Sequence, residues 1–326
     1  MEWIPPKERF NHHEQTGSIS LELVQEAVAK FGLNLAESTI RRLSGGFMNT
    51  NYLVAEGSGS YVFRFYSTDR VTAEREKDVL SFLKSSSVLV PDSFGSFEVQ
   101  GRAFGVIEFI DGMTLEDRIL EGDIDMSVFE QIGRQLAHIH SIRFSEAGFI
   151  GPRMKLGREY VHFGIFIRQF IERTLLNLRD KEERLDAETS RRFSSLVQDK
   201  WDLVLRSEIF HELVHTDFNP KNILVSKKEP TQVLGVIDWE FCLAGNGLMD
   251  LGNFFRFEYD YPPGARDVFA QGYRSVSPNL ANNWVEVSKL LDLGSMCSFL
   301  ERPEDYQKSF RTARAVVRST LEYFGY

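Results

Sequence analysis

Leu213-Val214-His215-Thr216-Asp217-Phe218-Asn219-Pro220-Lys221-Asn222-Ile223-Leu224-Val225 reads as an apolar strand, a polar loop and a second apolar strand. The loop carries His215, Asp217 and Asn222 in the spacing H-x-D-x-x-x-x-N. A little further on, Val236-Ile237-Asp238-Trp239-Glu240 is another strand that runs into acidic residues. Phosphoryl transfer needs this combination. One carboxylate orients the attacking hydroxyl, and an amide oxygen with a second carboxylate holds the metal that neutralises the phosphates. Asp217 is therefore the candidate base, and Asn222 and Asp238 are the candidate metal ligands. Mg2+ is the candidate ion, because it takes hard oxygen donors. The three loop positions are only suggestive by themselves. The strand-flanked Asp238 at short range makes them a site.

Composition narrows the rest. A chain of 326 residues leads to an expectation of about two domains. Hydrophobic residues at 42% and charged residues at 26% are those of a globular protein with a real core. The net charge of −9 argues against a nucleic-acid partner, whose phosphates demand a basic surface. Cys242 and Cys297 form neither a C-x-x-C pair nor a metal cluster, so a structural zinc is not expected and the cytoplasm is the expected compartment. Met1-Glu2-Trp3-Ile4-Pro5-Pro6 has no apolar signal segment, and no run reaches the roughly 18 apolar residues of a membrane span. No membrane partner is expected, and the oligomeric state is not legible.

Along the chain, the first twenty residues are polar and proline-containing, which predicts a loose arm. Leu23, Val24, Ala27, Val28 and Phe31 recur with helical spacing. Strands follow over Ile40 to Leu43, Asn51 to Ala55 and Ser60 to Tyr66, separated by glycine-containing turns. Ala73 to Leu83 reads as a helix, and Ser93 to Glu98 and Ala103 to Ile110 as two more strands. Asp111-Gly112 ends this pattern. Helices are expected up to Ile142, over Val161 to Leu178 and Ser190 to Leu205, and from Leu248 onward. The expectation is an α+β fold of two lobes: residues 1–109, with an antiparallel sheet and the loose arm 1–20, and a mainly helical 110–326. A hinge near Phe109 to Gly112 would join them, with the ligand cleft in between.

HTDFNPKN, the strand IDWE with Gly247-Leu248-Met249-Asp250-Leu251 after it, the hinge from Ile107 to Leu115 and the helix around Arg75-Glu76 resemble the aminoglycoside phosphotransferase and choline kinase-like small-molecule kinases. The match runs from about Ile40 to Glu258. That resemblance implies a protein-kinase-like bilobal fold and ATP or GTP as co-substrate. It also implies that Ser44 to Thr50 covers the phosphates, with Gly45, Gly46, Asn49 and Thr50 as contacts; glycine lets backbone come close to phosphate. Arg64 stands where the family has a phosphate-contacting lysine, a departure that exchanges a compact ammonium for a planar fork. Glu76, rather than Glu74, is the implied partner of Arg64. Glu108 and Ile110 would offer backbone groups to the nucleobase. His215 would hold the loop, Thr216 replaces a frequent glycine, and Asp250 would cap the helix near Leu251 and brace the loop.

Glu240, Glu258, Asp260 and Asp267 follow the metal strand and would suit an aminated acceptor, such as an aminoglycoside. The leading expectation is a kinase acting on a hydroxyl of a small, cationic acceptor. Homoserine, choline, a sugar or a glycated amine are the metabolic alternatives. A nucleotide-binding pseudokinase serving as an interaction module is the alternative that Arg64 permits.

Overall fold

The computed structural model describes residues 3–11, 19–43, 49–67, 70–160 and 162–326. Two short helices come first, α1 (Pro6–Arg9) and α2 (Leu21–Phe31). The Ser20 side chain accepts from the Leu23 N–H at 3.2 Å and opens α2, and Gly32 closes it in the left-handed conformation. The buried stripe Leu23, Val24, Ala27 and Val28 lies against a five-stranded antiparallel sheet. Its strands are β1 (Thr39–Arg42), β2 (Thr50–Glu56), β3 (Gly59–Phe65), β4 (Ser93–Val99) and β5 (Arg102–Glu108), in the order β1-β2-β3-β5-β4. Helix α3 (Arg70–Leu83) connects β3 to β4.

Strand alternation decides what β3 does. Phe63 and Phe65 point to one face, where they stack on Phe104 of β5 at 6.0 and 5.6 Å. Arg64 between them must point to the other face. That side chain is buried too, among carboxylates instead of rings.

Beyond Glu108 the chain is mainly helical, but it also holds two further sheets. One has Val233–Val236, Ile223–Val225 and Met113–Thr114 side by side. Met113 pairs with Val225 and Thr114 with Leu224, so the strand leaving the hinge is hydrogen-bonded to the hairpin that carries Asn222. The other holds His211–Val214 between Arg143–Phe144 and Leu243–Gly245, with Ala147–Ile150 and Leu156–Tyr160 beyond. These strands are too short to show a period in the sequence.

Two helices, Ser127–His140 and Ala265–Val276, pack through a pair of glycines. A Cβ on Gly133 would lie 2.1 Å from the Phe269 carbonyl oxygen, and one on Gly272 would lie 2.0 Å from that of Glu130. Neither backbone oxygen can rotate away. Gly133→Ala is expected to cost about 2 kcal/mol or more by overpacking, read as a lower urea midpoint.

The loose arm is corrected for its described part. Residues 3–11 form α1 and its flanks, docked on the C-terminal helices rather than on the sheet. Ile4 and Pro6 are buried, the Thr312 hydroxyl donates to the Arg9 carbonyl, and Asn11 bonds to Ser309 and Asp305. Among the described residues, no helix is long and apolar enough to cross a membrane.

Candidate active site

The strand His211–Val214 ends at His215, and the loop that follows is fixed from below by one carboxylate. Asp250, fully buried, accepts the His215 N–H and the Thr216 N–H at 2.8 Å each, one on each oxygen. Asp250 sits inside the helix Leu248–Phe254 and not at its N-cap, which is Gly247; the expectation of a helix cap is corrected, while the brace on the loop is seen directly. His215 Nε2 lies 3.0 Å from the Ile237 carbonyl, and its Nδ1 lies 3.3 Å from the Asp217 N–H. His215 thereby ties the loop to the residue before Asp238. Thr216 has φ 71°, a left-handed conformation that disfavours a β-branched residue. The two bonds to Asp250 and Phe241 hold it there. Asp250→Asn keeps the shape but loses one acceptor. It is expected to cost about 2 kcal/mol, since one buried amide is left facing an NH2 group; chemical denaturation measures it.

The loop presents Asp217 to the cleft. Its carboxylate accepts from the Asn219 amide at 2.7 Å and from the Asn222 amide at 2.8 Å. Desolvation, followed by the charge of Asp238, raises the Asp217 carboxyl above its usual range; His215, Arg256 and the Asn222 bond oppose the shift. With its nitrogen committed to Asp217, Asn222 keeps its carbonyl oxygen for another partner. Asp238 follows the strand Val233–Val236, also at positive φ (72°), and its side chain is 32% exposed to the cleft.

Arg64 reaches this group from β3. Its guanidinium pairs with Asp238, lies 3.4 Å from Glu76 and 3.5 Å from Glu240. Glu76 in α3 also accepts the Tyr66 hydroxyl and the Trp239 N–H at 3.1 Å. Glu74, by contrast, pairs with Arg70 at the surface. Glu240 accepts the Asn49 amide at 3.0 Å, and Asn49 in turn accepts the Ser67 N–H at 3.1 Å. One cation thus faces three carboxylates. Burial first, then the charges of Asp238 and Glu76 against the relief from Arg64, push the Glu240 carboxyl up to about 7. A raised acid binds its proton more tightly when folded, so stability is lost as pH rises from about 4.5 to about 7. Glu240→Gln removes that loss. Its stability relative to the parent is expected to grow across this window, as urea midpoints at several pH values will show.

A cleft of about 940 Å³ joins these groups, within the usual size of a ligand site. Asp217, Asn222, Asp238, Arg64, Asn49, Glu108 and Ile110 all line it. At the hinge, the Glu108 N–H is used by Asp92 and the Phe109 N–H by Ser60, so Glu108 has only its carbonyl to offer. Thr50 is buried in β2 opposite Phe65 and does not line the cleft. Gly45 and Gly46 lie outside the described residues. Glu240 lines the cleft beside Arg64, at 3.5 Å. Glu258 is held by Arg266 at 2.9 Å and Lys289 at 3.8 Å; Asp260 is held by Arg9 at 2.6 Å; and Asp267 does not line the cleft. Of the four expected acceptor carboxylates, Glu240 and Asp260 line the cleft, each beside an arginine, and Glu258 and Asp267 do not.

The structure also brings in residues that sequence reasoning passed over. Asn219 supports Asp217. Lys221 lines the cleft near Glu116, its ammonium pKa lowered chiefly by burial. Both lie inside the opening motif, where their spacing could have flagged them. Arg256, clamped by Asp292 at 2.6 and 2.9 Å, and the N-terminal Arg9 and Phe10 carried no such signal.

Residues 39–287, about three quarters of the chain, match the model of the family described as "Phosphotransferase enzyme family". A thermostable mutant of the aminoglycoside phosphotransferase APH(4)-Ia, crystallised with ADP and hygromycin B, superposes with a TM-score of 0.69 at 16% identity, covering 91% of this chain and 97% of that one. Spectinomycin phosphotransferase APH(9)-Ia, in complex with ADP and spectinomycin, gives 0.60 at 12% identity, covering 93% and 99%. An Arabidopsis thaliana protein described as "Probable acyl-CoA dehydrogenase IBR3" is 26% identical over 272 residues, which is 76% of this chain but only 31% of that protein. The kinase-like fold with its antiparallel sheet and helical remainder, the Asp217 loop and the family match agree: the chain belongs to the phosphotransferase enzyme family.

Proposed function

We propose that this phosphotransferase is a small-molecule kinase that moves the γ-phosphate of ATP or GTP to a hydroxyl group. The observation that carries the reading is the convergence of Asp217, Asn222, Asp238 and Arg64 on one cleft. Asp217, made more basic by burial, accepts the acceptor's hydroxyl proton as its oxygen bonds to the γ-phosphorus and the bond to the β-phosphate oxygen breaks. Arg64, kept charged by its carboxylates, faces the phosphates, and Glu76 fixes its direction. The Glu108 carbonyl and the Ile110 amide are read as the nucleobase contacts, and Asn49 as support for the phosphate end. The neighbours crystallised with ADP support a nucleotide as co-substrate.

The donor set fits Mg2+. Asn222 and Asp238 provide two hard oxygens, and phosphate and water oxygens complete such a shell. Among the described residues there is no group of three or more His, Cys, Asp or Glu side chains that would hold an ion without the substrate. When bound, Mg2+ would neutralise the charge on the phosphates. Asn222→Ala is expected to raise the Mg2+ concentration for half-maximal ADP release by at least about tenfold, since even a residue that only orients a metal ligand is worth that much.

Functionally we read residues 1–109 and 110–326 as two lobes around this cleft, with Trp3–Asn11 contributing to the second. Two buried free cysteines fit a cytoplasmic setting. Coupled ADP release over a panel of hydroxyl compounds, with and without EDTA, tests the reading; release must stop in EDTA and in Asp217→Asn. A second reading, a nucleotide-binding pseudokinase, is favoured by one observation, the ion pair that Arg64 makes with Asp238. Nucleotide binding without transfer to any acceptor would support it.

A further inference from the structure

The acceptor end of the cleft is closed by the N-terminal segment. Phe10 lies with its ring 4.6 Å from that of Phe299 and 6.3 Å from that of Phe257. The Arg9 guanidinium sits 4.0 Å over Phe257 and pairs with Asp260 at 2.6 Å, while the Trp3 indole N–H holds the other Asp260 oxygen at 3.2 Å. Lys7 and Phe10 line the same cavity as Asp217, together with Tyr261, Phe299 and Arg302. The segment thus does two things. It adds an aromatic wall, and it cancels the carboxylate that a cationic acceptor would use.

The charge balance at this end follows from the pairs. Asp260 is taken by Arg9, Glu258 by Arg266 and Lys289, and Glu116 faces Lys221 at 3.9 Å. Asp117 accepts the Thr114 hydroxyl at 2.7 Å at the start of its helix and keeps its charge, which acts on the Lys221 ammonium. Neither Lys7 nor Arg302 lies within ion-pair distance of a carboxylate among the described residues; Lys7 is exposed and Arg302 half-buried at the rim. A polyamine entering here would meet cations and rings. An acceptor with an apolar body and one anionic group would bury its body against the rings and face the rim with its charge.

We propose that Trp3–Asn11 is the acceptor-specificity element of this site and that it selects a hydroxylated, amphipathic anion. This rests on the kinase reading above and names its substrate class. The transfer itself is unchanged: the acceptor oxygen bonds to phosphorus, the nucleoside diphosphate leaves, and the proton goes to Asp217.

The test uses the full chain with 3-hydroxydecanoate and 3-hydroxy-3-phenylpropanoate as anionic probes, and hygromycin B and spectinomycin as the contrasting acceptors. The expected result is Asp217-dependent ADP release with an anionic probe and less with either antibiotic. Phe10→Ala should raise the acceptor KM by about tenfold, the scale for truncating an aromatic contact, with AMP-PNP affinity little changed. Lys7→Glu, an exposed position with no packing role, should raise it by about tenfold as well and serves if Phe10→Ala folds poorly. Preference for an antibiotic, or an acceptor KM untouched by both substitutions, overturns the proposal. Failure of the kinase reading looks different: either no compound would stimulate ADP release although AMP-PNP binds, or the release would survive Asp217→Asn with every compound.

Discussion

Asp217→Ala is expected to lower turnover by at least about 100-fold, the usual scale for a positioned base, while AMP-PNP still binds. On the proposed mechanism the effect falls on kcat, because Asp217 would act when the hydroxyl proton is in flight, whereas the proposed nucleotide contacts are spread over Arg64, the hinge and the rest of the cleft. The loop should survive the change. Its backbone is held by Asp250 through the His215 and Thr216 amides, and not by the Asp217 carboxylate. Two amides, from Asn219 and Asn222, do lose their acceptor, but Asp217 and Asn219 both lie at the accessible cleft, where water can replace it. Asp217→Asn separates charge from shape: it should be as inactive as the alanine variant. Steady-state ADP release with isothermal titration of AMP-PNP measures both parts. Full turnover in either variant removes Asp217 from the mechanism.

Arg64→Met is expected to lower stability by about 3–5 kcal/mol, since it leaves buried carboxylates without their counter-charge. Glu76 and Glu240 are almost fully buried, and Asp238 stands beside them. With the guanidinium gone, the folded state holds protons more tightly than before, so the penalty should shrink as pH falls from 8 toward 5 and the acids protonate. A surface arginine would show neither the size nor the pH dependence. Arg64→Lys restores the charge but not the fork, because an ammonium cannot face Asp238, Glu76 and Glu240 in one plane. It should recover part of the stability. Urea unfolding of the three proteins at two pH values decides between these outcomes, and equal loss at both values would remove the carboxylate cluster from the explanation.

Legibility differed by residue for physical reasons. That Asp217, Asn222 and Asp238 share one cleft was legible because they are bound to a local spacing: a strand, a loop and a strand leave few arrangements. The first sheet was readable from period-two patterns and glycine turns, and all five strands stand within a few residues of their expected places. Arg143–Phe144 and Leu156–Tyr160 were not, because strands of two to five residues carry too little pattern to separate from loop. The pairing of the acidic residues after Asp238 was hidden for another reason. Glu258 and Asp260 look like free carboxylates in a sequence, and only folding shows that Arg266, Lys289 and Arg9 are brought to them across the chain. Charge in one dimension does not reveal who neutralises whom. Arg9 and Phe10 were read as part of an arm for the same reason, since their partners lie some three hundred residues away.

That last distance bears on how the molecule is made. The hydroxyl of Thr312 meets the carbonyl of Arg9 across a separation of 303 residues, and Ser309 meets Asn11 across 298. During synthesis a chain folds from its start, and parts whose contacts are local settle first. The sheet β1–β5 can form as soon as residue 108 has emerged, and the Asp217 loop soon after Asp250. Residues 3–11 find their partners later and in two steps, Phe257 and Asp260 first, then Phe299, Ser309 and Thr312. Their docking is completed only when the helix Gln307–Phe324 has formed. The Asp217 loop is thus assembled before the N-terminal segment is fully docked, and a nascent chain halted short of residue 307 would carry the proposed catalytic groups with the proposed acceptor wall only partly anchored.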